Sequence, residues 1–282
     1  MNDVVPIRFQ KFGDIEAAAV SDGVLHASYD PFRNVEREEC VRLVGRPDKG
    51  PGSVPIQVSA FMVKLNGKRI LIDAGTSNTM GPTLGHMPKN LRAAGIDPAG
   101  ITHVLLTHIH PDHANGLVDE NDAPIYPNAE VIVHDDDARF WLDHEPNVHD
   151  SDFARRNRSA ARRVLGPYLQ RLRRVTKGEV LPGISIHLQS GHSPGHAGYL
   201  VQSGKEALLF WGDIVHVGAI QFAHPEATLM FDLDQEAAAS ARKRVFDWVA
   251  TDKLRVAGAH LDLPGFGHVA RRGNGFAFEA EG

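Results

Sequence analysis

The sequence predicts an α/β chain in which β-hairpins mix with crossover units, giving layered sheets covered by helices. Three observations carry that class. Short apolar runs recur between turn residues, with the lengths expected of strands. Helical patterns are fewer and fall irregularly among them, which excludes a barrel of eight regular repeats. A chain of 282 residues, 42% hydrophobic and 23% charged, is also long and apolar enough for one large core or two modest ones.

Taken in order, the first 20 residues interleave Arg8, Lys11, Asp14 and Glu16 with apolar residues and lack the unbroken apolar stretch of a secretory signal. A cytoplasmic protein is expected. Residues 31–55 mix Pro, Gly and charge and read as loop, so 1–55 is expected to be an N-terminal extension that wraps the core or reaches a partner subunit. No linker or internal repeat divides the rest, and a single domain over 1–282 is the simplest organisation. Runs 58–63 and 69–72 form a hairpin about Asn66-Gly67. Further strands are expected at 103–106, 130–133, 184–188, 199–201, 207–210 and 255–257. Helices are expected at 89–94, 135–142, 152–175 and 235–249, the last capped by Asp234. The most apolar run, 207–220, is interrupted by Asp213 and His216 and falls short of the ~20 residues that span a bilayer. No membrane partner is expected.

Charge and composition narrow the function. A net charge of −5 gives no overall basic field for a nucleic-acid backbone. The arginines of 152–175 (Arg155, Arg156, Arg158, Arg162, Arg163, Arg171, Arg173 and Arg174) therefore read as a solvated face or a lid over a pocket, and no nucleic-acid partner is expected. One cysteine, Cys40, makes neither an internal disulfide nor a thiolate cluster and fits a reducing compartment. Sixteen histidines are the unusual count, because His is the commonest transition-metal ligand and the neutral-pH acid and base.

The sharpest motif is Thr107-His108-Ile109-His110-Pro111-Asp112-His113-Ala114-Asn115-Gly116, directly after an apolar run. At an extended strand end, residues two apart point the same way, so His108 and His110 can reach one metal. Pro111 gives no N–H to a ladder, so the chain must turn, and Asp112 and His113 can face a second ion. One segment cannot surround two ions. His192, Asp213 and His260 each lie where an apolar run ends, the place at which α/β folds carry their ligands.

Together these residues resemble the metallo-β-lactamase fold superfamily, with its His-x-His-x-Asp-His signature followed by a single His, an Asp and a last His. The likeness runs from about residue 58 to 260, and Asp73-Ala74-Gly75 resembles the Asp-x-Gly turn bordering the family's site. The resemblance implies a four-layer αββα sandwich with a two-metal site at one edge. It implies that His108, His110 and His192 hold one ion, that Asp112, His113 and His260 hold the other, and that Asp213 bridges them. His196 matches no ligand position and is expected to support or pack. Imidazole and carboxylate donors suit two divalent ions, zinc by default, with iron, manganese or cobalt also compatible. A metal-held water with its pKa lowered to about 7 would be the nucleophile, and the same ions would stabilise the oxyanion.

Within the superfamily, the best-known β-lactamases carry Cys where Asp213 stands, glyoxalase II-like enzymes need a helical domain after the last His, nucleases carry a large insertion or arm, and flavodiiron-type proteins place Glu in the first motif. What remains resembles the lactonase and methyl parathion hydrolase-like branch, including dihydrocoumarin hydrolase-like enzymes, on segments 191–199, 210–216 and 257–260. Gln221-Phe222 and Phe231 are expected to wall an apolar pocket. Related homoserine-lactone lactonases place a Tyr three residues after the bridging Asp, and here that residue is His216. The expectation is therefore a hydrolase of a small, aromatic or compact lactone or ester, with phosphotriester hydrolysis as a side activity and Asp112, Asp213 and His216 as catalytic residues. Alternatives are organophosphate hydrolysis as the main activity, an iron-dependent dioxygenase of the same fold, and a non-catalytic metal-binding protein, which would lack one or more ligands. A small molecule is the expected partner, with a homodimer open.

Overall fold

The computed structural model describes residues 4–144 and 151–281. Its strands are β1 (Gln10–Phe12), β2 (Ile15–Ala27), β3 (Phe32–Arg33), β4 (Val54–Leu65), β5 (Lys68–Ile72), β6 (His103–Leu105), β7 (Glu130–His134), β8 (Leu172–Val175), β9 (Gly178–Leu181), β10 (Ile184–Leu188), β11 (Ala197–Ser203), β12 (Glu206–Phe210), β13 (Thr228–Leu229), β14 (Arg255–Ala257), β15 (Phe266–Arg272) and β16 (Gly275–Ala280). One seven-stranded sheet runs β1-β2-β4-β5-β6-β7-β8, antiparallel as far as β5 and parallel beyond it. The second runs β16-β15-β14-β12-β11-β10-β9, with β12 and β14 as its parallel pair. Hairpins and crossovers coexist because antiparallel neighbours need only a turn, whereas each parallel pair needs a returning segment.

The sheets face each other across an apolar layer in which Phe61, Ile72 and Leu105 of the first meet Tyr199, Phe210 and Phe266 of the second. The outer face of the first sheet is covered by α2 (Met87–Ala93), α3 (Pro111–Ala114) and α5 (Asp152–Leu165), through Leu91, Ala114 and Val164. The outer face of the second packs on α7 (Gln235–Asp252) through Phe246 and Val249. Helix, sheet, sheet, helix is the αββα order. A smaller cluster joins Cys40 of α1 (Arg37–Val44) to Ile220 of α6 (Gly218–Gln221) and to Val54. Among the described residues no helix is long and apolar enough to cross a membrane.

Several elements differ from those expected. Residues 15–27, left without structure by the sequence, form the longest strand of the first sheet; the run Glu16-Ala17-Ala18-Ala19-Val20 has no two-residue polarity alternation because both of its faces are largely buried. A register shift between Ser21 and Gly23 turns Asp22 inward, where its carboxylate accepts from the Thr76 N–H and hydroxyl and from the N–H groups of Gly85 and Met87. Residues 31–55, expected as loop, contain α1. The stretch 135–142 is one α-helical turn, α4 (Asp135–Ala138), running into a π-helical turn, Arg139–Asp143. The expected helix 152–175 is three elements: α5, capped by the Ser151 hydroxyl, breaks at Gly166-Pro167, passes through a 3₁₀ turn and ends as β8 on the sheet edge. The C-terminal hairpin β15–β16 was not expected. Asp234 does cap α7, accepting from the Ala237 N–H.

The loops after β5 and β6 are in close contact at Gly116, whose N–H donates to the Gly75 carbonyl at 2.8 Å. A Cβ there would lie 1.9 Å from the Ala74 carbonyl oxygen. Gly116→Ala is expected to force these loops apart and to lower stability by about 2–3 kcal/mol, read from the urea midpoint. An unchanged midpoint would show that the two loops are not held in register.

Candidate metal centre

The first cluster of candidate ligands begins where β6 ends. His110 has extended backbone and immediately precedes α3, Pro111 opens the helix where a missing N–H is harmless, and Asp112 and His113 occupy its single turn. His192 lies in the turn after β10, Asp213 in a 3₁₀ turn after β12, and His260 in the loop after β14. All seven candidate ligands, together with His216, are brought to one edge of the sandwich.

Nitrogens of His108, His110 and His192 converge: His108 Nε2 lies 3.0 Å from His110 Nδ1, which lies 2.8 Å from His192 Nε2. The three rings stand nearly perpendicular to one another, at 82°, 81° and 86°. Asp112, His113, Asp213 and His260 form a second group, with ligand atoms within 4.8 Å of one another. Asp213 faces both. Its Oδ2 is 3.2 Å from His192 Nε2 and 3.7 Å from His108 Nε2, while its Oδ1 is 3.0 Å from His113 Nε2 and 3.2 Å from His260 Nε2. Asp112 Oδ2 is 3.5 Å from the Nε2 atoms of both His113 and His260.

These donors fit divalent ions on a test internal to the structure. His113 Nε2, His260 Nε2 and Asp213 Oδ1 are buried without a hydrogen-bond partner, although such atoms ordinarily find one. Their rings are meanwhile fixed from behind. His113 Nδ1 donates to Asp73 at 2.9 Å, His192 Nδ1 to Asp232 at 2.7 Å and His260 Nδ1 to the Gln57 carbonyl at 2.8 Å. In each case the outer N–H bond leaves the Nε2 lone pair aimed inward. Asp73 in turn accepts from the Thr107 N–H and hydroxyl, which ties the loops after β5 and β6 together. The cluster is a His/Asp metal-binding site of the two-metal type.

Sequence reasoning missed several supports. Asp137 accepts from the Ile109 N–H, the Ser193 hydroxyl and the Gly195 N–H, joining the His108 and His192 loops across the two sheets. His196, by contrast, was expected to support or pack, and it donates to the Gln189 carbonyl and accepts the Asp213 N–H at Nε2, so it positions the Asp213 backbone. Gln221, expected as pocket wall, is instead buried, and its side-chain oxygen accepts from the N–H groups of His216 and Val217. Arg242 is buried in α7 and donates to the carbonyls of Ile214, Pro225 and Ala227. Its signal was present as a charge on an otherwise apolar helical stripe, Ala238, Ala241 and Val245. Asp232 was similarly legible as one acid inside Phe231-Asp232-Leu233, but the Gln57 carbonyl has no side-chain signature. The arginines of 152–175 lie mostly at the surface, with only Arg158 buried, and several are tied down there: Arg162 donates to the carbonyls of Leu142 and His144, while Arg163, Arg173 and Arg174 pair with Asp122, Glu130 and Asp143.

Electrostatics divide the imidazoles. Burial pushes His108 and His110 well below the ordinary histidine value, and it holds His196 down to about 3. Burial also opposes charge on His192, but Asp213 and Asp232 outweigh it and lift that ring to about 9; Asp213 and Asp112 likewise hold His113 well above its usual range. Asp213, despite burial, is kept ionised by His113 and His260. In the metal-free chain the raised His192 stabilises the fold fully below about pH 6.5, and that contribution is lost as pH rises towards 9. Divalent ions need these nitrogens unprotonated, so metal affinity has the opposite slope. The melting-temperature gain from added zinc over a chelated sample is therefore expected to widen between pH 6.5 and 9; a gain that shrinks over that interval would remove the raised imidazoles from the binding site.

The hydrolase AbOPH of the beta lactamase superfamily superposes with a TM-score of 0.91 at 29% identity over 98% of both chains. AidC, a dizinc quorum-quenching lactonase in complex with the product N-hexanoyl-L-homoserine, superposes with a TM-score of 0.89 at 26% identity, over 100% of this chain and 99% of its own. A UPF0173 metal-dependent hydrolase of Pyrobaculum neutrophilum is 41% identical over 61 residues, a match that spans 22% of this chain and 24% of that relative. The family model described as Metallo-beta-lactamase superfamily matches residues 53–260, so the chain belongs to the metallo-β-lactamase superfamily.

Proposed function

We propose that this protein hydrolyses a small lactone or ester, aromatic or compact in the manner of dihydrocoumarin, with phosphotriesters as secondary substrates. The observation that carries the reading is Asp213: one buried carboxylate presents an oxygen to each of two ligand clusters, the arrangement for holding two ions side by side. Support for lactone chemistry comes from AidC, which resembles this chain over its whole length. His108, His110 and His192 would hold one ion, Asp112, His113 and His260 the other, and Asp213 both. Two divalent ions so held would supply Lewis acidity to a carbonyl or phosphoryl oxygen and would lower the pKa of water at the site to about 7.

The chain's own residues would then orient and move protons. Asp213 and Asp112, kept ionised by neighbouring imidazoles, can accept hydrogen bonds from an attacking water. His216 lies on the same loop as Asp213, its Nε2 3.0 Å from Asp213 Oδ2, and its ring stacks on His260 at 5.3 Å and 13°. Burial keeps His216 below the ordinary histidine value, and its Nδ1 has no partner. In the neutral ring the proton sits on Nε2, where it faces the Asp213 carboxylate, and Nδ1 is an acceptor; with Asp213 held by the ions, that Nε2–H would be the one to donate to the substrate oxygen or to the departing alkoxide or phenolate. Gln221 fixes the backbone from which that ring projects. On the opposite flank Phe231 stacks on Phe153 at 6.0 Å, and Phe153 meets the edge of His110, giving an apolar wall beside the metals.

Asp213→Ala is expected to abolish turnover and to leave fewer than two ions per chain by metal analysis; full activity with two ions would refute the bridging role. His216→Leu is expected to keep both ions, to lower lactone turnover by about 10- to 1,000-fold and to spare bulky phosphotriesters. Equal losses on both substrates, or loss of metal, would remove His216 from substrate positioning. Iron at the site with oxygen consumption, and no lactone turnover, would instead support the dioxygenase reading.

A further inference from the structure

A cavity of about 720 Å³ opens beside the metal cluster, with His216 and His260 in its wall. From there it extends over apolar side chains, among them Val44, Val54 and Phe222, and under the C-terminal hairpin at Phe276 and Phe278. Two guanidiniums also line it, Arg46 and Arg272. Both are exposed, and neither forms an ion pair among the described residues. Their neighbours behave differently: Arg37 pairs with Asp30 and Asp48, Arg42 with Glu39, and Arg271 with Asp247. Arg46 and Arg272 differ from these three neighbours in having no carboxylate partner among the described residues. Their backbones are anchored, since the Arg46 carbonyl accepts from the Tyr29 hydroxyl at 2.8 Å and Arg272 is paired with Gly275 in the hairpin. One acid, Asp262, shares the wall, two residues from His260.

Resting on the lactone or ester reading of the site, we infer that this cavity selects substrates bearing an anionic group, such as a carboxylate, on the end remote from the reacting carbonyl. The reacting carbonyl would sit at the His216 and His260 end, an apolar spacer would cover the valines and phenylalanines, and the anion would meet Arg46 and Arg272. An unpaired guanidinium costs little to leave in water, but it forms charge-assisted, two-pronged hydrogen bonds with a carboxylate that a neutral ester cannot match. Because both arginines are partly hydrated, the gain is modest and salt-sensitive.

The test compares 4-nitrophenyl hydrogen adipate with 4-nitrophenyl methyl adipate, its neutral counterpart, on the metal-loaded protein. The acid is expected to be favoured by roughly 5- to 30-fold in kcat/KM, mainly through KM, with the preference shrinking as salt is raised. In an Arg46→Ala, Arg272→Ala double variant it should fall below about 2-fold while turnover of the methyl ester is unchanged. No preference in the native protein overturns the inference; so does a preference that survives in the double variant, because the carboxylate is then being read by the metals. Should neither ester be hydrolysed, the lactone or ester reading fails separately. Calorimetric binding of adipanilic acid against its primary amide then decides: an arginine-dependent preference upholds an anion-selective cavity, and equal binding overturns it.

Discussion

A carboxylate removed from water is strongly destabilising unless opposite charge or hydrogen bonds replace its hydration, and Asp213 is buried at the meeting point of five imidazoles. Much of the local architecture follows from that one placement. Three of the surrounding rings, His113, His192 and His260, are presented with Nε2 inward by a partner behind them, Asp73, Asp232 and the Gln57 carbonyl respectively. Asp73 and Asp232 are themselves held by the N–H groups of Thr107 and Leu229. The polar network thus grows outward in shells until it reaches the sheets, where hydrophobic burial carries the remaining stability.

How much of this was legible in the sequence depended on whether a feature is local. The motif from His108 to His113 could be read because a strand end and a proline fix the directions of neighbouring side chains. Strands 184–188 and 255–257 were legible because their apolar runs are bounded by turn residues. β2 was not, because burial on both faces erased its period, and a bulge at Asp22 interrupted it. The arginine-rich stretch looked like one helix because the Gly166-Pro167 break lies among strong helix formers, and only pairing with β7 turns its end into a strand. Gln221 read as part of a wall because sequence cannot show that its amide is used by backbone N–H groups five and four residues before it. The bonds of His260 to a main-chain carbonyl and of Arg242 to three others involve groups that every residue possesses, and no pattern of side chains announces them.

The ligand loops divide the labour of the fold. Segments that present His108, His192 and Asp213 are braced by Asp137, His196 and Arg242 from beneath, and their conformations are over-determined. The surfaces facing the cavity are lined by apolar side chains such as Val54 and Phe222 and by Arg46 and Arg272, whose side chains form no ion pair among the described residues. Substrate preference can therefore change along the cavity wall with little effect on the donor geometry, whereas changes behind the rings would reach every substrate alike.

Each group of ligands draws on both sheets: His108 and His110 follow β6 of the first sheet while His192 follows β10 of the second, and Asp112 and His113 are matched by His260 after β14. Neither ion can find its full donor set on a half-formed molecule. Metal binding at these clusters would therefore be coupled to correct docking of the two sheets, because the candidate donors of each come together only in the assembled sandwich.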